Sequence, residues 1–163
     1  MDHLWSPWRF SYVSRQLPVE PGGCVFCRIA ADGNDRENLV VHRASLNYVV
    51  LNRYPYTSGH LMVVPYEHMS DLAYANDETT AELIALVRTA TTHLRAIYRP
   101  GGLNIGMNIG ECAGAGVADH IHMHVLPRWR GDVNFMTSVG ETRVMVEALE
   151  DTWAKVSEAF RGT

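Results

Sequence analysis

Three of the chain's eight histidines stand at every second position in His120-Ile121-His122-Met123-His124-Val125-Leu126-Pro127. In an extended strand, residues i and i+2 leave on the same face, about 6.6 Å apart at a rise of about 3.3 Å per residue. The imidazoles would then share one face, with Ile121, Met123 and Val125 turned the other way into a core. A strand that only needs to pack has no use for three imidazoles. Histidine changes charge near neutral pH and serves as nucleophile, acid, base or metal ligand. Three readings follow: a nucleophilic or acid–base site, a metal site made by the run itself, and a solvated histidine-rich edge. The first ranks highest.

Directly before the run lies Gly110-Glu111-Cys112-Ala113-Gly114-Ala115-Gly116-Val117-Ala118-Asp119. Glycines let backbone N–H groups approach an anion closely. Alone, such a loop reads as a tight turn between strands; against an alternating histidine run it reads as a phosphate cradle. A phosphate held there would lie beside an imidazole able to attack phosphorus and form a covalent phosphoramidate. The attacking ring must be neutral, and its other nitrogen must donate to a fixed acceptor.

The surrounding elements are legible from periodicity. Leu39 to His42, Tyr48 to Asn52 and His60 to Val64 read as short strands, the last halted by Pro65. Asn52 to Gly59 between them is turn chemistry. The clearest helix opens at Asn76, an N-cap, with Asp77 and Glu78 in its first turn. Its apolar positions Leu83, Val87, Ala90, Leu94 and Ile97 fall on one face, and Pro100-Gly101-Gly102 ends it. Leu103 to Ile109 alternates as a half-buried strand, with Leu103, Ile105 and Met107 inward. A second helix is expected from Glu141 to Phe160, with Val144, Val146, Leu149, Trp153, Val156 and Phe160 as its apolar positions. Hairpin-like strands interrupted by one long helix predict an α+β fold with an antiparallel sheet.

Bulk properties bound the function. A length of 163 residues suits one domain with a sizeable core, and 47% apolar residues is ordinary for a globular protein. A net charge of −4 without a Lys/Arg block argues against a broad nucleic-acid surface, so no nucleic-acid polymer is expected. No apolar run approaches a membrane span, and no leader is expected from Met1-Asp2-His3-Leu4-Trp5. Three cysteines, two as Cys24-x-x-Cys27, do not suit a disulfide framework, which points to a reducing, cytoplasmic setting. Trp5, Trp8, Phe10 and Tyr12 make an aromatic N-terminal arm that should pack on the domain or on a second subunit.

The run His120 to Val125 resembles the H-φ-H-φ-H-φ signature of the histidine-triad (HIT) nucleotide hydrolases and transferases. Cys24-Val25-Phe26-Cys27 is similar to the C-x-F-C opening of many members. Asn52-x-x-Pro55 and Gly59-His60-x-Met62-Val63-x-Pro65 resemble their paired central strands. Leu4-Trp5-Ser6-Pro7-Trp8-Arg9 and Pro127-Arg128-Trp129-x-Gly131-Asp132-x-Asn134-Phe135-Met136 resemble the branch typified by bacterial diadenosine tetraphosphate phosphorylases. The likeness implies a single HIT domain over 1–163: an arm over 1–23, a core over 24–136 and a helical extension over 137–163. It implies a HIT-like fold of about five antiparallel strands with one long central helix and a C-terminal helix.

The resemblance also implies roles. His122 would be the nucleophile that takes a nucleoside monophosphate, His124 would bind and polarise the phosphate, and His60 would support both from the neighbouring strand. Asn52 would touch the ribose hydroxyls, while Asn108 and the backbone of Gly114, Ala115, Gly116 and Val117 would meet phosphate oxygens. Cys24, Cys27, His68 and His120 resemble the ligands of zinc-containing members, and two thiolates with two imidazoles make a closed, structural tetrahedral set. The alternative is an unmetallated thiol pair with His68 on the surface. No organic cofactor is expected. The implied partners are a purine nucleotide or dinucleoside polyphosphate and a second copy in a homodimer. The implied reaction is dinucleoside polyphosphate cleavage through nucleotidyl-His122, with water or phosphate as acceptor. Phosphoramidate hydrolysis and non-catalytic nucleotide binding are the alternatives.

One departure from the family pattern bears on chemistry. Many members carry Gly-Gln-Ser/Thr-Val and one further residue before the first histidine, whereas this chain has Gly114-Ala115-Gly116-Val117-Ala118-Asp119. The hydroxyl that assists the leaving group is missing. Either the leaving group departs as a stable polyphosphate, or another residue supplies its proton, and both weigh against an amine leaving group.

Overall fold

The structure, a computed structural model, describes residues 23–132 and 147–162. The aromatic arm, the Asn134-Phe135-Met136 motif and the expected helical positions Val144 and Val146 lie outside the described residues.

Two short helices, α1 (Val25–Ala31) and α2 (Asp35–Asn38), lead into β1 (Val40–Arg43) and β2 (Asn47–Leu51). A loop from Asn52 to His60 returns the chain as β3 (Leu61–Pro65), and α3 (Asp77–Tyr98) crosses to β4 (Gly102–Met107). The glycine-rich loop then feeds β5 (Met123–Arg128), and α4 (Leu149–Arg161) closes the described chain. The strands form one sheet in the order β1-β2-β3-β5-β4, every pairing antiparallel. This is the expected α+β architecture.

Every residue of β2 and β3 is buried, because both faces of these central strands are covered. The long helix α3 lies across β2, β3 and β5, and α4 packs on β1 and α3. Asn76 caps α3 by accepting from the Thr79 amide at 2.7 Å, and Leu83, Val87, Ala90 and Leu94 bury its apolar face. On the α1 side, Phe26 is buried and its carbonyl accepts from the Tyr48 hydroxyl at 2.9 Å.

Three expectations are corrected. Ile105 is 49% exposed, because β4 is the edge strand and α3 packs on β3 and β5 instead. The C-terminal helix does not run through residues 147 and 148: it starts at Leu149, with Ala148 extended as its N-cap. Glu147 is held outside it by the Tyr98 and Thr152 hydroxyls and by Lys155. The third concerns the histidine strand, which begins only at Met123 and leaves His120 and His122 in the bend before it.

Candidate active site and metal centre

That late start divides the three histidines between two sites. Ile121 donates to the Met69 carbonyl at 2.8 Å, lashing the bend to the segment after β3. His120 thereby comes beside His68, their rings 5.1 Å apart and perpendicular. It also faces the N-terminal end of α1, where Cys24 is the cap and Cys27, three residues on, lies on the same side. His120 Nδ1 stands 3.3 Å from Cys24 Sγ and 3.6 Å from Cys27 Sγ, and His68 Nδ1 is 3.4 Å from Cys27 Sγ. The four ligand atoms all lie within 4.8 Å of one another.

These spacings fit a metal. A tetrahedral zinc bonded to sulfur at about 2.3 Å and to nitrogen at about 2.05 Å sets S···N edges of about 3.5 Å. The His120 Nε2–H donates to the Pro65 carbonyl at 3.0 Å, which leaves the lone pair on Nδ1, facing the sulfurs. Burial and the neighbouring Cys24 push the Cys27 thiol up, so a bound cation is what would let that thiol ionise. All four expected ligands converge.

The other two histidines face a second centre. The Phe26 ring lies 5.5 Å from His120 and 4.9 Å from His122, a wedge between the two sites. His122 and His124 meet edge to face at 4.8 Å, and His60 lies 5.0 Å from His124. His60, His122 and His124 are all buried, so the solvated-edge reading fails. Among the described residues, the metal-competent cluster takes only His120 from the run, so a metal site made by the run itself fails too.

Ring-nitrogen partners fix the protonation of this cluster. His122 Nδ1 lies 2.9 Å from the His120 carbonyl, which only accepts, so Nδ1 carries the proton and Nε2 the lone pair. His60 Nδ1 accepts from the Tyr56 amide at 3.2 Å, with the Asn52 amide group at 3.4 Å. Its proton therefore sits on Nε2, which donates to His124 Nδ1 at 2.9 Å and leaves the His124 proton on Nε2. Burial, then the charges of His124 and His122, push His60 down to about 3, and burial lowers His122. His60 and His122 are thereby held as neutral imidazoles. One can attack as a nucleophile, and its neighbour can donate to a phosphoryl oxygen.

His60 owes its position to Gly59, whose φ is +76°. A Cβ there would stand 2.9 Å from Tyr98 Cε2 and 3.1 Å from Leu94 Cδ2. Asn52 caps the same loop, accepting from the Tyr54 amide at 2.9 Å. In the glycine-rich loop, the Gly114 and Ala115 amides bond back to Glu111 and Gly110 carbonyls, and Asn108 Nδ2 lies 3.4 Å from the Gly114 carbonyl. Gly116 is exposed, and Val117 packs partly on the core. Sequence reasoning missed Phe26 as the wedge and Tyr56 as the donor to His60. A backbone amide leaves no side-chain signature, so nothing in the sequence could have flagged Tyr56.

Known proteins resemble this chain in sequence and in fold. A family model described as HIT domain matches residues 34–131. The AP-4-A phosphorylase of Mycobacterium tuberculosis is 41% identical, over 93% of this chain and 80% of that protein. A Zn-bound histidine triad family protein from Mycobacterium smegmatis superposes with a TM-score of 0.69 at 28% identity, covering 85% of this chain and 94% of that one. A hypothetical histidine triad nucleotide-binding protein from Sulfolobus tokodaii gives a TM-score of 0.68 at 28% identity, over 85% and 93%. The chain belongs to the HIT family and is an enzyme of that family. Among the described residues, no helix is long and apolar enough to cross a membrane.

Proposed function

We propose that the enzyme cleaves dinucleoside polyphosphates of the diadenosine tetraphosphate kind by transferring a nucleoside monophosphate to His122 Nε2. The observation that carries this is the 2.9 Å contact from His122 Nδ1 to the His120 carbonyl, which aims an unprotonated Nε2 away from the backbone. The 41% identity to an AP-4-A phosphorylase supports the substrate class and inorganic phosphate as the second acceptor. In this scheme His124 Nε2–H binds a phosphoryl oxygen and Asn52 turns to the ribose. Asn108 and the glycine-rich backbone meet the other phosphates, chiefly through Gly116 and Val117, since the Gly114 and Ala115 amides are used within the loop. A zinc ion on Cys24, Cys27, His68 and His120 is structural and clips α1 to the sheet. The protein works in the cytoplasm as a homodimer of single domains, each organised as arm, core and helical extension.

Product analysis on diadenosine tetraphosphate with and without phosphate tests the proposal. ADP plus ATP, dependent on phosphate, is the expected result; AMP plus ATP makes the enzyme a hydrolase. Absence of any labelled nucleotide on His122 under single-turnover quenching would sink the covalent route.

A further inference from the structure

The glycine-rich loop carries no side chain with a transferable proton between Gly114 and Ala118. A replacement acid must therefore come from elsewhere, and His124 is the group placed beside the nucleophile. Its protonation is set by its neighbour. The Tyr56 amide occupies His60 Nδ1, His60 Nε2–H occupies His124 Nδ1, and the only proton His124 carries is the one on Nε2. A cationic His124 would set an N–H on Nδ1 against the N–H of His60. A neutral imidazole is a good hydrogen-bond donor but a very weak acid, and His60 cannot resupply a proton, because a backbone amide does not give its own up.

From this geometry we infer that His124 acts as a neutral electrophile and not as a proton donor, so the enzyme cleaves only donors whose leaving group departs as a stable anion. The inference rests on the nucleotidyl transfer proposed above. In the step, the His122 Nε2 lone pair forms the N–P bond and the P–O bond to the leaving group breaks. The bonding pair leaves on that oxygen, which departs unprotonated as a polyphosphate. His122 keeps its Nδ1 proton against the His120 carbonyl and becomes a nucleotidyl imidazolium. His124 keeps its proton throughout. Phosphoanhydrides fit this selection, whereas phosphoramidates, whose amine cannot leave as an anion, do not. The same lock makes Tyr56 and His60 positioning residues for leaving-group choice.

The test is a rate comparison on the full chain with diadenosine tetraphosphate, the para-nitrophenyl and phenyl esters of AMP, and adenosine phosphoramidate. The anhydride and the nitrophenyl ester should react, and the phenyl ester should be far slower. The phosphoramidate should trail by roughly 10²- to 10⁴-fold, the range an acid catalyst normally supplies. Phosphoramidate cleavage within about tenfold of the anhydride would overturn the inference while leaving nucleotidyl transfer intact. If no donor reacts, nucleotidyl transfer itself fails. Nitrogen-15 NMR of the histidine rings gives a readout independent of activity. His60 and His124 should both appear as Nε2–H tautomers at neutral pH, and a doubly protonated His124 there would refute the lock.

Discussion

His60 donates from Nε2 to His124 Nδ1 across 2.9 Å, and both rings are buried. The bond joins the end of the Asn52–His60 loop to the second residue of β5, the strand that pairs with β3 through Met62 and His124. Its direction follows from the Tyr56 amide on the far side of His60. Substitutions can separate the roles in this chain.

His122→Asn should lower turnover by about three or more orders of magnitude, the scale seen when a covalent nucleophile is removed. Folding should persist, since only one buried ring is shortened. Circular dichroism with single-turnover assays checks both halves, and wild-type activity in the variant would refute the nucleophile assignment.

Gly59→Ala should destabilise the fold by about 1–3 kcal/mol, from left-handed strain plus the clash with Tyr98. Because Gly59 sets the position of His60, kcat should fall as well. Urea melts paired with kinetics measure the two effects. An unchanged midpoint would show that the loop relaxes freely.

Stability should fall on acidification. His60 is pushed down to about 3 and His122 is lowered, so the unfolded chain binds protons near pH 6.5 that the folded chain refuses. Stability therefore rises with pH across this window and is lost from about 6.5 downward, by up to about 1.4 kcal/mol per pH unit for each such histidine. Melts between pH 7 and 5 should show it, and His60→Gln should make the slope shallower. A flat profile would contradict the buried neutral state.

Metal analysis should return about one zinc per chain. Cys24→Ser should lose the metal and several degrees of Tm while retaining measurable chemistry, because Cys24 is outside the His60–His122–His124 cluster. Full metal content after that change would remove Cys24 from the ligand set.

Much of this was legible in residue types. Asn76 announced the start of α3, and its four-and-three apolar spacing matched the buried face. The histidine alternation located the site but misplaced the strand, since period-two spacing cannot show that pairing begins at Met123. Ile105 illustrates a similar limit, because alternation marks a strand's inner face without revealing that the strand is at an edge. The tautomers were beyond reach. They depend on a backbone amide and a backbone carbonyl, contributed by Tyr56 and His120, whose side chains give no hint of it.

His120 is tethered at both ends. Its ring points Nδ1 at the thiols of Cys24 and Cys27, while its carbonyl receives the Nδ1 proton of His122. In the proposed scheme one residue would thus be anchor for the metal and anvil for the nucleophile, with a single peptide unit between the two tasks. A zinc ion held there would do more than pin α1 to the sheet: it would steady the acceptor that keeps the His122 lone pair aimed outward. Stripping the metal would then show as a blurred aim, a slower attack in molecules that are still folded.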